Sequence, residues 1–283
     1  MDMKRNINWI IEYFSLNSIE FVDIFKTSLL PNEKDMNRKT AKDVLGIVIP
    51  VKGECNFSLN EDKHHLNKST ILHCGSNLKI KVETEDVGIE YYVVHYKNIS
   101  IEDNFKSIEK ESFSLEIEDR LELVKYCESI IDKSLNPDNY SNFLCKVEFL
   151  NLVNSLIKNV MMTQYSDKLK IVNKAVEYIN KNYNELITVT EIADILEIDR
   201  RRFSDTFKEV IGLSPVKYLN EYRLKEARRL LKFSSHTISE IAEMTGYNDC
   251  FYFSKNFKKN LGICPKKYRQ RNNDFFTDIV LKK

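Results

Sequence analysis

Two stretches in the last third of this 283-residue chain repeat each other, and this repeat limits the possible folds more than any other feature. Residues 188–199 (TVTEIADILEID) align with residues 237–249 (TISEIAEMTGYND), which contain one extra turn residue. At an offset of 50 the identities continue at Phe203/Phe253, Ser204/Ser254, Phe207/Phe257, Lys208/Lys258, Gly212/Gly262, Pro215/Pro265 and Tyr218/Tyr268. So many identities at one spacing predict a structural unit that occurs twice.

Each copy has the sequence signals of a helix-turn-helix. Thr188 and Thr237 begin T-x-x-E capping boxes, in which the hydroxyl and the carboxylate satisfy free amides at a helix start. A small alanine then lets a second helix cross closely, and after a short turn Asp199 and Asp249 cap that second helix.

Each predicted second helix carries two phenylalanines four residues apart, Phe203 and Phe207 or Phe253 and Phe257. Residues at this spacing share one face of a helix, so each pair predicts a buried face. The opposite face stays free, and a free helix face of this kind fits a DNA major groove.

The net charge of +1 conceals two oppositely charged regions. Residues 1–167 contain 20 basic and 27 acidic residues, residues 168–271 contain 21 and 13, and residues 272–283 contain two of each. A basic segment joined to an acidic remainder indicates a module that binds a polyanion.

Residues 171–270 resemble the DNA-binding module of the AraC/XylS family of transcription regulators. The motifs that carry the resemblance are IAE, GY, FSK, FKK and GICPKKYR, which begin at residues 241, 246, 253, 257 and 262. The resemblance implies an all-α module in which a long helix, here residues 215–232, joins two helix-turn-helix units. A helix of that length spans about 27 Å and would hold two reading helices in successive major grooves.

By position, the resemblance implies reading helices at residues 199–210 and 249–259. The residues implied to face bases are Arg201, Ser204, Asp205, Cys250, Phe251, Tyr252, Ser254 and Lys255. The residues implied to contact phosphate or to remain solvated are Arg200, Arg202, Lys258 and Lys259. Three arginines at a helix start oppose the helix dipole, so folding alone does not favour them there.

The base-facing side chains of the two helices differ in chemistry. Arg201 suits guanine O6 and N7, and Asp205 suits the amino group of cytosine. Phe251 or Tyr252 suits a thymine methyl group, so apolar contacts and DNA shape would decide specificity at the second helix.

The two predicted turns differ at one position. The second copy has Gly246, whereas the first has Glu197, whose side chain makes a left-handed backbone cost about 1–2 kcal/mol. We therefore expect the first turn to have a different shape and the register of the first reading helix to differ from that of the second.

The region before the repeat has a β-rich pattern. Between residues 44 and 97, short β-branched and aromatic runs alternate with turn clusters, which predicts an antiparallel sandwich or small barrel. The apolar residues 7–30 have no clean period; a helix followed by a strand is one arrangement that fits them, and the assignment stays open. The family resemblance implies a cupin-like domain that senses a small molecule.

Two helices are predicted after the β region, at residues 116–134 and 140–165. The second has apolar residues at three- and four-residue steps: Phe143, Val147, Leu150, Val153, Ile157 and Val160. This stripe has two interpretations, packing against the β domain or a homodimer through residues 140–165.

The predicted organisation is a multi-domain α+β chain. A cupin-like β-sandwich or barrel with flanking helices precedes an all-α double helix-turn-helix domain. The predicted boundaries are 1–115 for the sensor, 116–167 for a helical dimerisation and linker segment, 168–271 for DNA binding and 272–283 for a tail.

Few residues of the β region indicate a ligand. Tyr91, Tyr92, His95 and Tyr96 are weak candidates, because alternate residues of this run either line a pocket or fill the core. His64, His65, His73 and His95 lack the H-x-H and glutamate spacing of a metal-binding cupin, so we expect no metal and no cofactor. The six cysteines include no C-x-x-C pair, which disfavours a zinc ribbon or a thioredoxin-type site.

These observations predict a transcription regulator, more often an activator in this family, with double-stranded DNA as its partner and a small-molecule effector. No apolar run approaches about 20 residues and the start lacks a signal peptide, so a cytoplasmic protein without membrane contact is expected. Control by a protein partner remains an alternative. An enzyme, either a metal-dependent cupin or a DNA-alkyl-transfer protein, is disfavoured because its ligand or cysteine motifs are missing.

Overall fold

A computed structural model describes residues 7–100 and 103–271 of the chain, so the predicted tail at 272–283 lies outside the described residues. The described residues form two compact units, and the boundary lies between Ser166 and Asp167. None of the described helices is long and apolar enough to cross a membrane.

The first unit begins with a helix and continues as strands. Its elements are α1 (Ile7–Leu16), β1 (Ser18–Leu29), β2 (Lys34–Lys39), β3 (Leu45–Gly53), β4 (Cys55–Leu59), β5 (Asp62–Leu66), β6 (Thr70–Cys74), β7 (Lys79–Glu83), β8 (Ile89–Ser100), a 3₁₀ helix (Asp103–Lys110), β9 (Ser112–Glu116), α2 (Leu121–Ser134) and the first part of α3 (Asn139–Asn182). Residues 7–30, which the sequence left open, are therefore a helix followed by a strand. In α1, Ile7, Ile10 and Tyr13 recur at three-residue steps and are buried.

The strands form two antiparallel sheets, which is consistent with a sandwich. The strand order is β1-β8-β3-β6-β9 in one sheet and β2-β7-β4-β5 in the other. Each sheet contributes alternate side chains to the shared core, as expected for strands with one buried face. That core includes Val48, Leu72 and Tyr91 from the five-stranded sheet and Phe57, Leu59 and Val82 from the four-stranded sheet.

The range of α3 consists of two helices that meet at a kink. Tyr165 (φ −133°, ψ 19°) is non-helical there, so the first of them ends at residue 165, where the sequence predicted. The predicted apolar stripe divides between two faces. Val153 and Val160 are buried with Cys145, Phe149, Leu152 and Leu156, whereas Phe143, Val147 and Leu150 are exposed.

The described part of the second unit is helical. It contains the end of α3, then α4 (Val189–Ile195), α5 (Arg200–Ile211), α6 (Pro215–Phe233), α7 (Ile238–Met244) and α8 (Cys250–Leu261), followed by a helical segment at residues 265–271. The predicted long helix is α6, whose N-cap Ser214 accepts a hydrogen bond from the Lys217 amide at 3.3 Å.

Candidate nucleic-acid interface

Both predicted capping boxes are present. In the first, the Glu191 amide donates to Thr188 Oγ1 at 3.1 Å, and the Thr188 amide donates to Glu191 Oε2 at 3.4 Å. In the second, the corresponding distances between Glu240 and Thr237 are 3.2 and 2.7 Å. The hydrogen bonds from the Thr237 backbone and side chain hold the pKa of Glu240 below its usual range. Helices α4 and α7 therefore begin in the same way.

The two predicted reading helices, α5 and α8, begin and end alike. Asp199 Oδ1 accepts hydrogen bonds from the amides of Arg201 and Arg202, both at 2.9 Å. Asp249 caps α8 by the same pattern. Gly212 and Gly262 end the helices with φ of 82° and 76°, a left-handed conformation that favours glycine.

The expectation that the first turn has a different shape is wrong. Glu197 has φ of 53° and Gly246 has φ of 78°, so both turns pass through a left-handed residue. The residue after each turn position donates to the alanine of its copy at similar distances, 3.0 Å from Ile198 and 2.9 Å from Tyr247. The first helix-turn-helix tolerates the strain of a glutamate there because Glu197 is exposed.

The phenylalanine pairs bury one face of each reading helix. All four rings are fully buried, and the rings of each pair lie 5.7 Å apart. On the remaining surface of α5, Arg200, Arg201, Arg202 and Asp205 are exposed and Ser204 is half-buried. On α8, Phe251, Tyr252, Lys255, Lys258 and Lys259 are exposed, while Cys250 and Ser254 are half-buried. The structure therefore places the twelve predicted contact residues on solvent-accessible parts of the two helices.

One residue of this surface escaped the sequence prediction. Lys208 is exposed on α5, seven residues after Arg201, and a seven-residue step returns to the same helix face. Its repeat partner Lys258 was among the candidates, so the identity at offset 50 was the signal that could have found it.

The arginines at the start of α5 add positive charge to the helix end that is already positive. No ion pair joins Arg200, Arg201 or Arg202 to an acidic side chain among residues 7–100 and 103–271. Their guanidinium groups are therefore available for an external anion, and each presents a fork that matches phosphate or guanine.

A separate cavity of about 190 Å³ lies in the first unit. Its lining comprises Phe25, Arg38, Lys39, Thr40, Ala41, Val44, Gly46, Val48, Phe57, Cys74, Ile80, Tyr91, Val93 and His95. Of the four weak ligand candidates, Tyr91 and His95 line this cavity. Tyr92 and Tyr96 do not, because alternate residues of β8 point to the other face of the sheet, where the Tyr96 ring lies 5.8 Å from Phe149 of α3.

Charged and titratable groups surround this cavity. His95 Nδ1 lies 2.7 Å from Asp23 Oδ1, and Arg38 pairs with Asp35. Burial raises the pKa of Tyr91 to about 12, so its hydroxyl stays protonated and able to donate a hydrogen bond. The cavity thus combines an apolar interior with a few polar groups, which is the usual composition of a small-molecule site.

The histidines occupy separate environments. His64 Nε2 lies 2.9 Å from Ser112 Oγ, and His73 Nε2 lies 3.0 Å from the Ile108 carbonyl oxygen. In the described residues, no cluster of three or more His, Cys, Asp or Glu side chains has an arrangement that could hold a metal ion.

Known proteins match this chain in two ways. A family model described as "Helix-turn-helix domain" matches residues 192–271. The lactose operon transcription activator of Staphylococcus xylosus is 31% identical over 242 residues, which is 81% of this chain and 84% of that protein. The raffinose operon transcriptional regulatory protein RafR of Pediococcus pentosaceus is 37% identical over 98 residues, only 35% of either chain.

Among solved structures, a transcriptional regulator with an AraC-type DNA-binding domain from Chromobacterium violaceum is 28% identical. That alignment covers 38% of this chain and 96% of the other, with a TM-score of 0.35. The match to the Staphylococcus protein covers most of both chains. The helix-turn-helix model matches the region that carries the repeated motifs. The chain therefore belongs to the AraC/XylS family of DNA-binding transcription regulators.

Proposed function

We propose that this regulator reads an operator with α5 and α8 and changes its promoter occupancy when a small molecule binds the first unit. The observation that carries the DNA part is the pair of identically capped helices whose buried faces match and whose exposed faces carry the candidate contacts. On this proposal residues 1–115 are a cupin-like sensor, residues 116–167 dimerise and link, and residues 168–271 bind DNA. The relatives named above are described as a transcription activator and a transcriptional regulatory protein, which supports a regulator over an enzyme.

The proposed base contacts on α5 are Arg201, Ser204 and Asp205, and Lys208 extends the same face. On α8 they are Cys250, Phe251, Tyr252, Ser254 and Lys255. Arg200, Arg202, Lys258 and Lys259 flank these faces and would bind phosphate. Phosphate contacts position the protein, whereas the contacts to base edges select the sequence.

In vitro selection from random duplexes with the full chain, followed by fluorescence anisotropy on the selected duplex, tests DNA recognition. Arg201→Ala should weaken binding to the selected duplex by about 1–3 kcal/mol and reduce discrimination against other duplexes. Arg229→Ala is the matched control, because this exposed arginine on α6 is already paired with Glu226 at 2.7 Å. Equal affinity of the native chain for selected and unrelated duplexes would contradict sequence-specific binding.

The cavity of about 190 Å³ supports an effector site in the first unit. It is smaller than the roughly 300–1,000 Å³ of typical pockets for drug-sized ligands, so it suits a ligand of about one sugar ring. The two bacterial relatives are named for lactose and raffinose operons, which makes sugars the first class to test. Arg38, Tyr91 and His95 would donate hydrogen bonds to hydroxyl groups.

Isothermal titration with a panel of mono- and disaccharides tests this site. Val93→Trp, which fills the cavity, should abolish binding of any sugar that the native chain binds, whereas Tyr92→Phe on the opposite sheet face should not. If no sugar binds and native mass spectrometry finds no co-purified small molecule, control by a protein partner becomes the better model. An effector acts in this scheme only through a difference in its affinity for two states of the regulator.

An apolar stripe on α3 supports a homodimer. Tyr140, Phe143, Val147 and Leu150 recur at three- and four-residue steps and are 69%, 58%, 36% and 58% exposed. The opposite face of the same helix is buried, so this stripe is not covered by the described residues of the first unit. A stripe of this spacing matches the seam of two packed helices from two chains.

Analytical ultracentrifugation tests the dimer. The double variant Phe143→Glu/Leu150→Glu should sediment as a monomer at concentrations where the native chain is a dimer. Lys146→Ser, an exposed change on the same helix, is the control. A native chain that remains monomeric at every concentration would exclude this interface.

A further inference from the structure

Arg223 lies on α6, the helix between the two helix-turn-helix units, and its side chain contacts the segment that leads into the first of them and the turn of the second. Its Nε donates to the Tyr183 carbonyl at 2.7 Å, and its Nη2 donates to the Glu185 carbonyl at 2.6 Å. These two carbonyls lie between the last residue of α3, Asn182, and the capping box of the first helix-turn-helix, which begins at Thr188. Carbonyls just after a helix end have no partner within the helix, and the guanidinium supplies a donor to Tyr183, while the Glu185 carbonyl also accepts from the Ile187 amide at 2.9 Å.

The same guanidinium contacts the turn of the second unit. Its Cζ lies 5.7 Å from the centre of the Tyr247 ring, a cation–π distance. A Cβ atom at Gly246 would lie 2.8 Å from Arg223 Nη2 and 2.6 Å from the Tyr183 carbonyl oxygen. Glycine is therefore required at this turn, because the backbone carbonyl of Tyr183 and the side chain of Arg223 approach it closely.

Tyr247 extends these contacts to the second reading helix. Its hydroxyl donates to Asn220 Oδ1 of α6 at 3.1 Å and accepts from Asn256 Nδ2 of α8 at 3.1 Å. Burial raises the pKa of Tyr247, so the hydroxyl stays protonated in this network. A continuous set of polar contacts thus runs from the end of α3 through Arg223 and Tyr247 to α8.

Within residues 7–100 and 103–271, no arginine contacts the first turn as Arg223 contacts the second. An open groove of about 540 Å³ lies beside Glu197, lined on its α3 side by Lys170, Ile171 and Lys174. Glu197, with φ of 53°, is exposed and lines this groove. The difference shows that the contacts of Arg223 are a property of the junction between the units and not of the repeated motif itself.

We propose that Arg223 is a positioning residue that fixes the separation of the two reading helices, so that the regulator accepts only one spacing between the two DNA segments it reads. This inference rests on the proposed function, in which α5 and α8 bind the same duplex. Helix α6 alone holds one end of each unit, whereas Arg223 joins the end of α3 to the turn before α8. Its planar fork donates to the two carbonyls from two nitrogen atoms held in a fixed geometry, which the single ammonium nitrogen of lysine does not reproduce.

The test uses the full chain and the duplex obtained by in vitro selection, with one or two base pairs inserted between the two protected segments. Each inserted pair shifts and rotates one segment relative to the other, since B-DNA turns once in about 10–10.5 pairs. The native chain should lose about 30-fold in affinity on a one-pair insertion, comparable with a mismatched site. Arg223→Ala and Arg223→Lys should lose less than about 5-fold on the same insertion.

Two controls separate the clamp from general stability and from the proposed function. Arg229→Ala on the same helix should keep the native insertion penalty, and thermal melting reports whether each variant is folded. If Arg223→Ala does not fold, Arg223→Lys carries the test, because it keeps the positive charge on α6. Folded variants that bind weakly but keep the roughly 30-fold penalty would overturn the positioning role, whereas a native chain that selects no duplex would overturn the proposed function instead.

Discussion

The two helix-turn-helix units share their skeleton but differ in the surface they offer to DNA. Capping boxes, helix caps, buried phenylalanine pairs and left-handed turns coincide in both. At the first three positions of the reading helix, however, α5 has Arg200, Arg201 and Arg202, and α8 has Cys250, Phe251 and Tyr252. The caps and the buried phenylalanines are therefore alike in the two units, whereas the exposed residues at the start of the reading helices differ.

This divergence predicts two different ways of binding. The α5 surface has cationic groups without acidic partners in the described part of the chain, so its binding energy should depend on salt. On α8 the Phe251 side chain is 87% exposed and Tyr252 is 62% exposed. Exposed aromatic groups at a helix start would lose water on meeting apolar base edges, and that contribution depends little on salt.

The largest expected effect is removal of the arginines. The triple variant Arg200→Ala/Arg201→Ala/Arg202→Ala should bind DNA about 10²–10³-fold more weakly at low salt. The slope of the logarithm of its binding constant against the logarithm of salt concentration should become smaller by about one for each phosphate that it no longer binds. The matched change of Cys250, Phe251 and Tyr252 to alanine should lower affinity without changing that slope. Anisotropy titrations between about 50 and 200 mM salt measure both. Equal slope changes in the two variants would remove the proposed division of roles.

The second prediction concerns the turns. Gly246→Ala should destabilise the second unit by about 2–4 kcal/mol, because the new Cβ meets a backbone oxygen and a strained φ is forced on alanine. Glu197→Gly should stabilise the first helix-turn-helix by about 1 kcal/mol, because glycine adopts the left-handed backbone of this turn without the strain that glutamate has. Chemical denaturation of the full chain, followed by circular dichroism, measures both changes. A harmless Gly246→Ala would mean that the two turns are equally open.

The sequence predicted those features of the helix-turn-helix units whose interacting residues lie close together in the chain. Caps and phenylalanine spacing act within a few residues of the chain, so the repeat revealed α4, α5, α7 and α8. The left-handed Glu197 was missed because the cost of a left-handed backbone says nothing about whether an exposed turn tolerates it. Arg223 was missed because its partners are backbone carbonyls about 40 residues away, which leave no pattern in side-chain identity.

The first unit shows the same limit. Strands from residue 44 to 97 followed from alternation and turn residues, but α1 and β1 did not, since residues 7–30 are apolar without a period. The apolar stripe of α3 was recognised as one set, although its members divide between a buried and an exposed face. A helix with two apolar faces gives overlapping periods, so only the packed structure separates them.

The third prediction tests base reading by α8. Replacing thymine by uracil in the selected segment under α8 should weaken binding by about 1 kcal/mol for each methyl group in contact. Phe251→Ala should lose this sensitivity, because the partner of the methyl group is gone. The same replacement under α5 is the control and should change affinity little. Insensitivity of the native chain to uracil in both segments would leave α8 without an apolar reading role.

The smallest expected effect concerns the capping boxes, which both helix-turn-helix units have. Thr188→Ala and Thr237→Ala each remove the hydroxyl of a complete capping box, and each should cost about 1 kcal/mol of unfolding free energy. Because the caps are alike while the DNA surfaces differ, the two losses should agree within about 0.5 kcal/mol. Denaturation of the full chain measures the losses, with Thr190→Ala, an exposed change inside α4, as the control. A much larger loss at Thr237 would mean that its helix is stabilised through the contacts of Arg223 and Tyr247 as well, so that even the shared skeleton differs between the units.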